Sequence, residues 1–354
     1  MISAVLKSHN RSGGVMPNSR AFAPGSARLA AAAILIALLL CAGLPSVVAA
    51  ASSSSSPGPW ATLYAGSSAT YHPLRVPVQA LRTSARLDLV PTSTITVTYH
   101  GFAGQAKAKA AFQAAVDIWQ SIVVSSQVIH VDAYWSNLGS ASGILGQARA
   151  TSEHNGGDGY WYPVSLAEAR CSCEKNGSNA EIYAQFNKAF PNWYKGTDGN
   201  VPINKWDLET VVLHELGHGL GFYSSFNVNE GRGYRQASHV LRFDANEWDT
   251  ATGGHLMTSF ANASGALKKQ LTDRGVFIDG AHLEATIGKR AKLYAPAPWE
   301  PGSSNAHLDE DRYAPGSVNA LMTPYLFNGE AIHAPGPITT AILEDIGWTV
   351  AGES

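Results

Sequence analysis

The stretch Val211 to Phe226, VVLHELGHGLGFYSSF, limits what this chain can fold into more than any other. His214 and His218 lie four residues apart, which on a helix puts both imidazoles on one face, a turn from each other. Two histidines so placed can fill two corners of a tetrahedral metal site. Glu215, beside the first, can accept a proton from a water that the metal acidifies. Asp207 can cap the start of such a helix, and Glu209 in its first turn suits the positive end of the dipole. Gly217, Gly219 and Gly221 argue against a helix kept for packing alone, since each glycine costs about 1 kcal/mol relative to alanine inside a helix. They make sense if another segment passes close to the ligands and the chain turns sharply after Gly221.

A site of this kind needs a third protein ligand and keeps its fourth position open. Ser224, three residues past Gly221, is a poor ligand. Five histidines follow: His239, His255, His282, His307 and His333. Glu247, in the sequence NEWD, is a carboxylate alternative.

Around the motif the hydrophobic spacing predicts alternating elements. Ile95, Val97 and Tyr99 alternate as in a strand. Phe112, Ala115, Val116, Trp119, Ile122 and Val123 follow at helical spacing. SQVIHVDAYW, GQARATS and AEIYAQFN (Ala180 to Asn187) read as further strands before the histidine helix, which defines an α+β fold class. The second half is poorer in periodicity, apart from its last element, PITTAILEDIGW. There Pro337 suits a first helical turn, Ile338, Ala341, Ile342 and Ile346 form an apolar stripe, and Gly347 is placed to stop the helix. The aromatic run YWYP at 160–163 fits either a cleft lining or the core.

With these elements in view, the chain resembles the metzincin metallopeptidases. HELGHGLGF is followed by a long insertion, then SNAHLDE, then NALMTP, whose Met322 looks like the methionine turn found beneath the zinc in that family. The order is similar to that of the leishmanolysin-like members, which delay the third histidine until shortly before that turn and place a helix after it. The resemblance spans roughly residues 180–348, with its specific motifs at the two ends. It implies that His214, His218 and His307 bind zinc, that Glu215 is the catalytic base and that Met322 packs under the metal. By the same resemblance Glu247 and Ser224 are not ligands, and residues 93–221 and 222–354 form two catalytic lobes with the zinc between them. The first lobe would carry the sheet and active-site helix, the second an irregular chain ending in a helix. Metzincins hold extended peptides along an exposed strand edge, for which residues 180–187 are the candidate here; an interior strand is the alternative. Asp309 could orient a ligand, but it reads better as one of the solvated acids in LDEDR. Tyr325 receives no role.

The amino terminus agrees with an exported protein. Residues 1–28 hold Lys7, Arg11, Arg20 and Arg28 and no acid, and Leu29 to Leu44 is apolar throughout. With small residues from Val47 to Ala51, residues 1–51 are expected to be a signal peptide, with an uncleaved anchor as the alternative. Residues 52–92, opening SSSSSPGP, read as a linker or pro-segment. Without the leader, 21 Lys and Arg face 27 Asp and Glu, a charge near −6, and no basic cluster offers a surface to nucleic acid. Cys171 and Cys173 are expected to form a local disulfide, near the outer limit of bridging if the chain between them is extended.

The functional expectation is a secreted, or cell-envelope, zinc endopeptidase acting on polypeptides, with no stable membrane association once the leader is removed. A zinc-containing binding protein and a zinc hydrolase of a non-peptide bond are the alternatives. An intact Glu215 weighs against the first.

Overall fold

The computed structural model describes residues 56–66, 92–236 and 239–351. The chain divides into units 1–51 and 52–354, of which only the second is described. The expected signal peptide therefore lies outside the described residues, as does most of the 52–92 segment.

Strand β2 (Thr94–His100), helix α1 (Ala106–Gln120) and strand β3 (Val128–Ser136) form a strand–helix–strand unit, with the two strands parallel and Ile95 opposite Ile129. Helix α1 buries Phe112, Ala115, Val116 and Trp119, as the helical spacing predicts, and stops before Ile122 and Val123. Strand β4 (Ile144–Ala150) runs antiparallel to β5 (Ile182–Asn187), while β5 is parallel to β3. The fold class is α+β with a mixed sheet.

Two findings depart from the sequence reading. First, β5 is an interior strand, paired on both sides, so residues 180–187 are not an exposed edge. Its alternation of buried and half-buried residues cannot tell an interior strand from an edge strand, because either can show it. Second, the segment 52–92 is not wholly linker. Residues Ala61–Ala65 form strand β1, antiparallel to β4 and parallel to a two-residue strand at Tyr325–Leu326.

Helix α2 (Val164–Cys171) ends in the Cys171–Cys173 disulfide. The bridge closes because Ser172 takes a left-handed conformation (φ 51°), bringing the two Cα atoms to 5.1 Å instead of leaving them extended. Helix α3 (Leu208–Gly219) carries the histidine motif and packs against α1, β4 and β5. Every one of its residues is buried. Asp207 caps it, accepting the Thr210 N–H at 3.0 Å, and the Trp119 indole N–H donates to Leu213 O at 2.8 Å across to α1.

The three glycines of the motif each have an occupant in the place of a side chain. A Cβ at Gly217 would meet Met322 Sδ at 2.9 Å, one at Gly219 would overlap Ile182 Cγ2, and Gly221 turns the chain with φ 120°. Gly219→Ala is therefore expected to destabilise the fold. The added Cβ would overlap three atoms of buried Ile182 at once, which puts the cost at the upper end of the roughly 1–3 kcal/mol of overpacking, above the ~1 kcal/mol that alanine gains inside a helix. Urea unfolding of the two proteins checks this, and a midpoint at or above that of the parent would contradict it.

Beyond α3 the chain forms a small antiparallel sheet of β6 (Glu247–Asp249), β7 (Gly254–His255), β8 (Val276–Ile278) and β9 (Ala291–Lys292), ordered β7-β6-β8-β9. It then returns to the main sheet as β10 (Tyr325–Leu326), giving the order β10-β1-β4-β5-β3-β2. Helix α4 (Pro337–Ile346) has Pro337 in its first turn and stops at Gly347, with φ 117°. Trp348 Nε1 then donates to Leu220 O at 2.7 Å, fixing the end of α3.

Candidate metal centre

His214, His218 and His307 come together, and all three are fully buried. Their Nε2 atoms lie 2.9, 3.1 and 3.2 Å from one another. The Nδ1 atoms decide what this means. Each faces a backbone carbonyl: His214 that of Leu321 at 2.5 Å, His218 that of Phe222 at 2.6 Å and His307 that of Ser303 at 2.9 Å. A carbonyl only accepts, so each Nδ1 carries the proton and each Nε2 is left with a lone pair. Three lone pairs pointed at one another in a dry interior repel unless a cation lies between them. For comparison, two nitrogens bound tetrahedrally to one zinc ion are separated by roughly 3.3 Å.

The electrostatics agree with this assignment. Burial lowers His214 to about 4, against a smaller opposing effect of the Leu321 carbonyl. It takes His218 and His307 well below the usual imidazole value, and the neighbouring histidines add to the shift. All three are neutral at pH 7, the form that binds a metal.

Glu215 is fully buried, and neither carboxylate oxygen has a hydrogen-bond partner. Burial raises its carboxyl well above the ordinary value, while the Leu63 backbone N–H works in the opposite direction from nearby. Strand β4 passes close over it, since a Cβ at Gly146 would stand 2.9 Å from Glu215 Cγ. Met322 is fully buried beneath α3 and ties two parts of the site together: the carbonyl next to it holds His214, and its own accepts the Leu308 N–H at 2.7 Å.

The other candidates lie elsewhere. Glu247 is buried but accepts from Asn305 Nδ2 at 2.7 Å and does not belong to the histidine group. The Ser224 hydroxyl accepts the Phe226 N–H at 3.1 Å. Asp309 is neither solvated nor an orienter of a ligand: it is 5% exposed and pairs with Lys292 Nζ at 3.2 Å. His333 binds Asp207 Oδ2 at 2.7 Å, His282 faces Asp345 Oδ1 at 3.1 Å and His239 faces Glu153 Oε2 at 3.1 Å. In YWYP, Tyr162 is buried, and Pro163 packs against the turn at Gly221.

Among the described residues a second group, Glu168, Glu174 and Glu181, also brings three possible ligand atoms together. It offers oxygen alone, a donor set unlike that of the histidine centre. Also among the described residues, no helix is long and apolar enough to cross a membrane. Compared with protein-family models, curated proteins and solved structures, the chain matches none.

Sequence reasoning missed the three carbonyls that fix the histidine rings, and it missed Leu63. The carbonyls leave no signal, because every residue carries one. Leu63 sits in a strand too short to show a period.

Proposed function

We propose that this chain is a secreted zinc endopeptidase of the metzincin type. The observation that carries the reading is the convergence of three Nε2 lone pairs from His214, His218 and His307 beside an unpartnered, buried Glu215. An all-imidazole donor set at this spacing suits zinc, with a fourth position left for the reaction. The chemistry that zinc supplies when bound is acidification of a water and polarisation of a peptide carbonyl.

The rest is done by side chains of this protein. The three histidines hold the ion as neutral ligands, oriented by the carbonyls of Leu321, Phe222 and Ser303. Glu215 takes the proton of the attacking water and returns it to the leaving amine. The apolar walls of the site, with Met322 among them, keep bulk water out and strengthen each charge interaction. The long span between Gly221 and His307, followed by the Met322 turn, supports the leishmanolysin-like variant of the family and a two-lobed arrangement about the metal. The acid-free, basic residues 1–28 and the apolar run at 29–44 support export to the cell envelope or beyond, where the partners are polypeptides rather than nucleic acids.

The test is cleavage of an unfolded polypeptide by the zinc-loaded chain beside Glu215→Gln. A parent that cuts while the variant does not establishes the reaction and its base. Equal, measurable rates for both remove Glu215 from the mechanism.

A further inference from the structure

A peptide to be cut must lay its backbone beside Glu215 and the three histidines, and part of this chain already lies there. Residues 58–66 follow β4 along its length. Gly58 N–H donates to Ala150 O at 3.1 Å, Leu63 stands opposite Gly146, and Ala65 N–H donates to Gly143 O at 2.7 Å. The opposite side of the same backbone is held as well. Thr62 N–H donates to Gly302 O at 3.0 Å, Tyr64 N–H to Pro324 O at 3.0 Å and Gly66 N–H to Leu326 O at 2.8 Å. The strand is thus gripped between β4 on one side and, on the other, Gly302 together with the segment that follows the Met322 turn. Its midpoint, Leu63, is buried and paired with Gly146, under which the Glu215 side chain lies.

The topology sets this strand apart from the rest of the sheet. Consecutive strands usually lie side by side, yet β1 and β2 are separated by β4, β5 and β3. Taking β1 away leaves β4-β5-β3-β2 continuous, with β4 as its edge next to the metal centre. A free edge in that position is a template for pairing with an extended peptide.

We propose that β1 is a self-inhibitory strand filling the peptide groove between β4 and β10, so that the described form is latent and opens when β1 leaves. This rests on the peptidase reading. It also explains why the centre is sealed: the three histidines and Glu215 have no exposed surface in the presence of β1, and a polypeptide has no path to them. Since the rest of the groove is already built, release requires no new fold, only loss of the covalent link between β1 and β2.

The experiment uses the full chain, loaded with zinc, with the recognition sequence of a specific protease replacing residues 79–84. The protein folds with β1 in place and is nicked afterwards, so a folding defect does not confuse the result. On nicking, the fragment carrying β1 is expected to separate on gel filtration, hydrolysis of an unfolded polypeptide to rise at least tenfold, and removal of zinc by a chelator to accelerate by a similar factor. Adding a synthetic peptide of residues 56–66 should reverse both rates. If the fragment stays bound after nicking and both rates are unchanged, β1 is a permanent strand and the proposal falls. If zinc removal accelerates and the peptide reverses it, yet nothing is cut in either state, the groove and its occupant stand while the peptidase reading fails.

Discussion

Glu215→Gln should keep its zinc and lose nearly all hydrolysis, with a fall of about 10²–10⁴ in kcat, the range for removing a general base. The substitution conserves shape and removes only the capacity to take a proton. Because the carboxylate is buried without a hydrogen-bond partner, no other group stands ready to replace it. The amide should also fit without loss of stability, since the buried carboxylate is itself costly to keep ionised. Zinc per chain by elemental analysis, with kcat measured before and after release of β1, gives the answer. A variant that loses the metal along with activity would mean that Glu215 supports the site instead of acting in it.

His307→Ala has the second large effect. Loss of a partner that merely orients a ligand typically weakens metal binding 10–100-fold, so removal of a ligand should exceed this, at about a thousandfold or more. Only His214 and His218 would remain, on one helical face, with no third member of the group among the described residues. Dialysis against a competing chelator should leave the parent with one zinc per chain and the variant with none. Glu247→Gln is the control: it should retain the metal, because Glu247 is engaged with Asn305 away from the centre. A variant of His307 that still binds zinc at full strength would return the third ligand to the other candidates.

These two residues were legible to different degrees. His214, Glu215 and His218 could be read directly, because four-residue spacing on a capped helix fixes one face, and the glycines marked where Met322 and Ile182 press in. His307 could be chosen from five histidines only through the order of motifs after it. Nothing in its sequence neighbours, SNAHLDE, indicates that it is buried while His282, in GAHLEA, is exposed. Strand β1 was not legible. ATLYA is short, with small residues at both ends, and its conformation comes from the two backbones that flank it rather than from its own pattern. For the same reason β5 could be read as a strand but not as an interior one. Pairing partners belong to the fold, and the alternation of one segment does not contain them.

His214 and His307 are 93 residues apart in the chain. An ion bound to both is therefore a cross-link as well as a reagent, closing a loop that contains most of the irregular second half. By the chain-entropy rule for disulfides, closing a loop of this order restricts the unfolded state by roughly 4–5 kcal/mol. That is comparable with the whole margin of stability of an ordinary domain. Zinc supply would then set how long the protein survives as well as how fast it works, and scarcity of the metal would be read first in turnover of the chain.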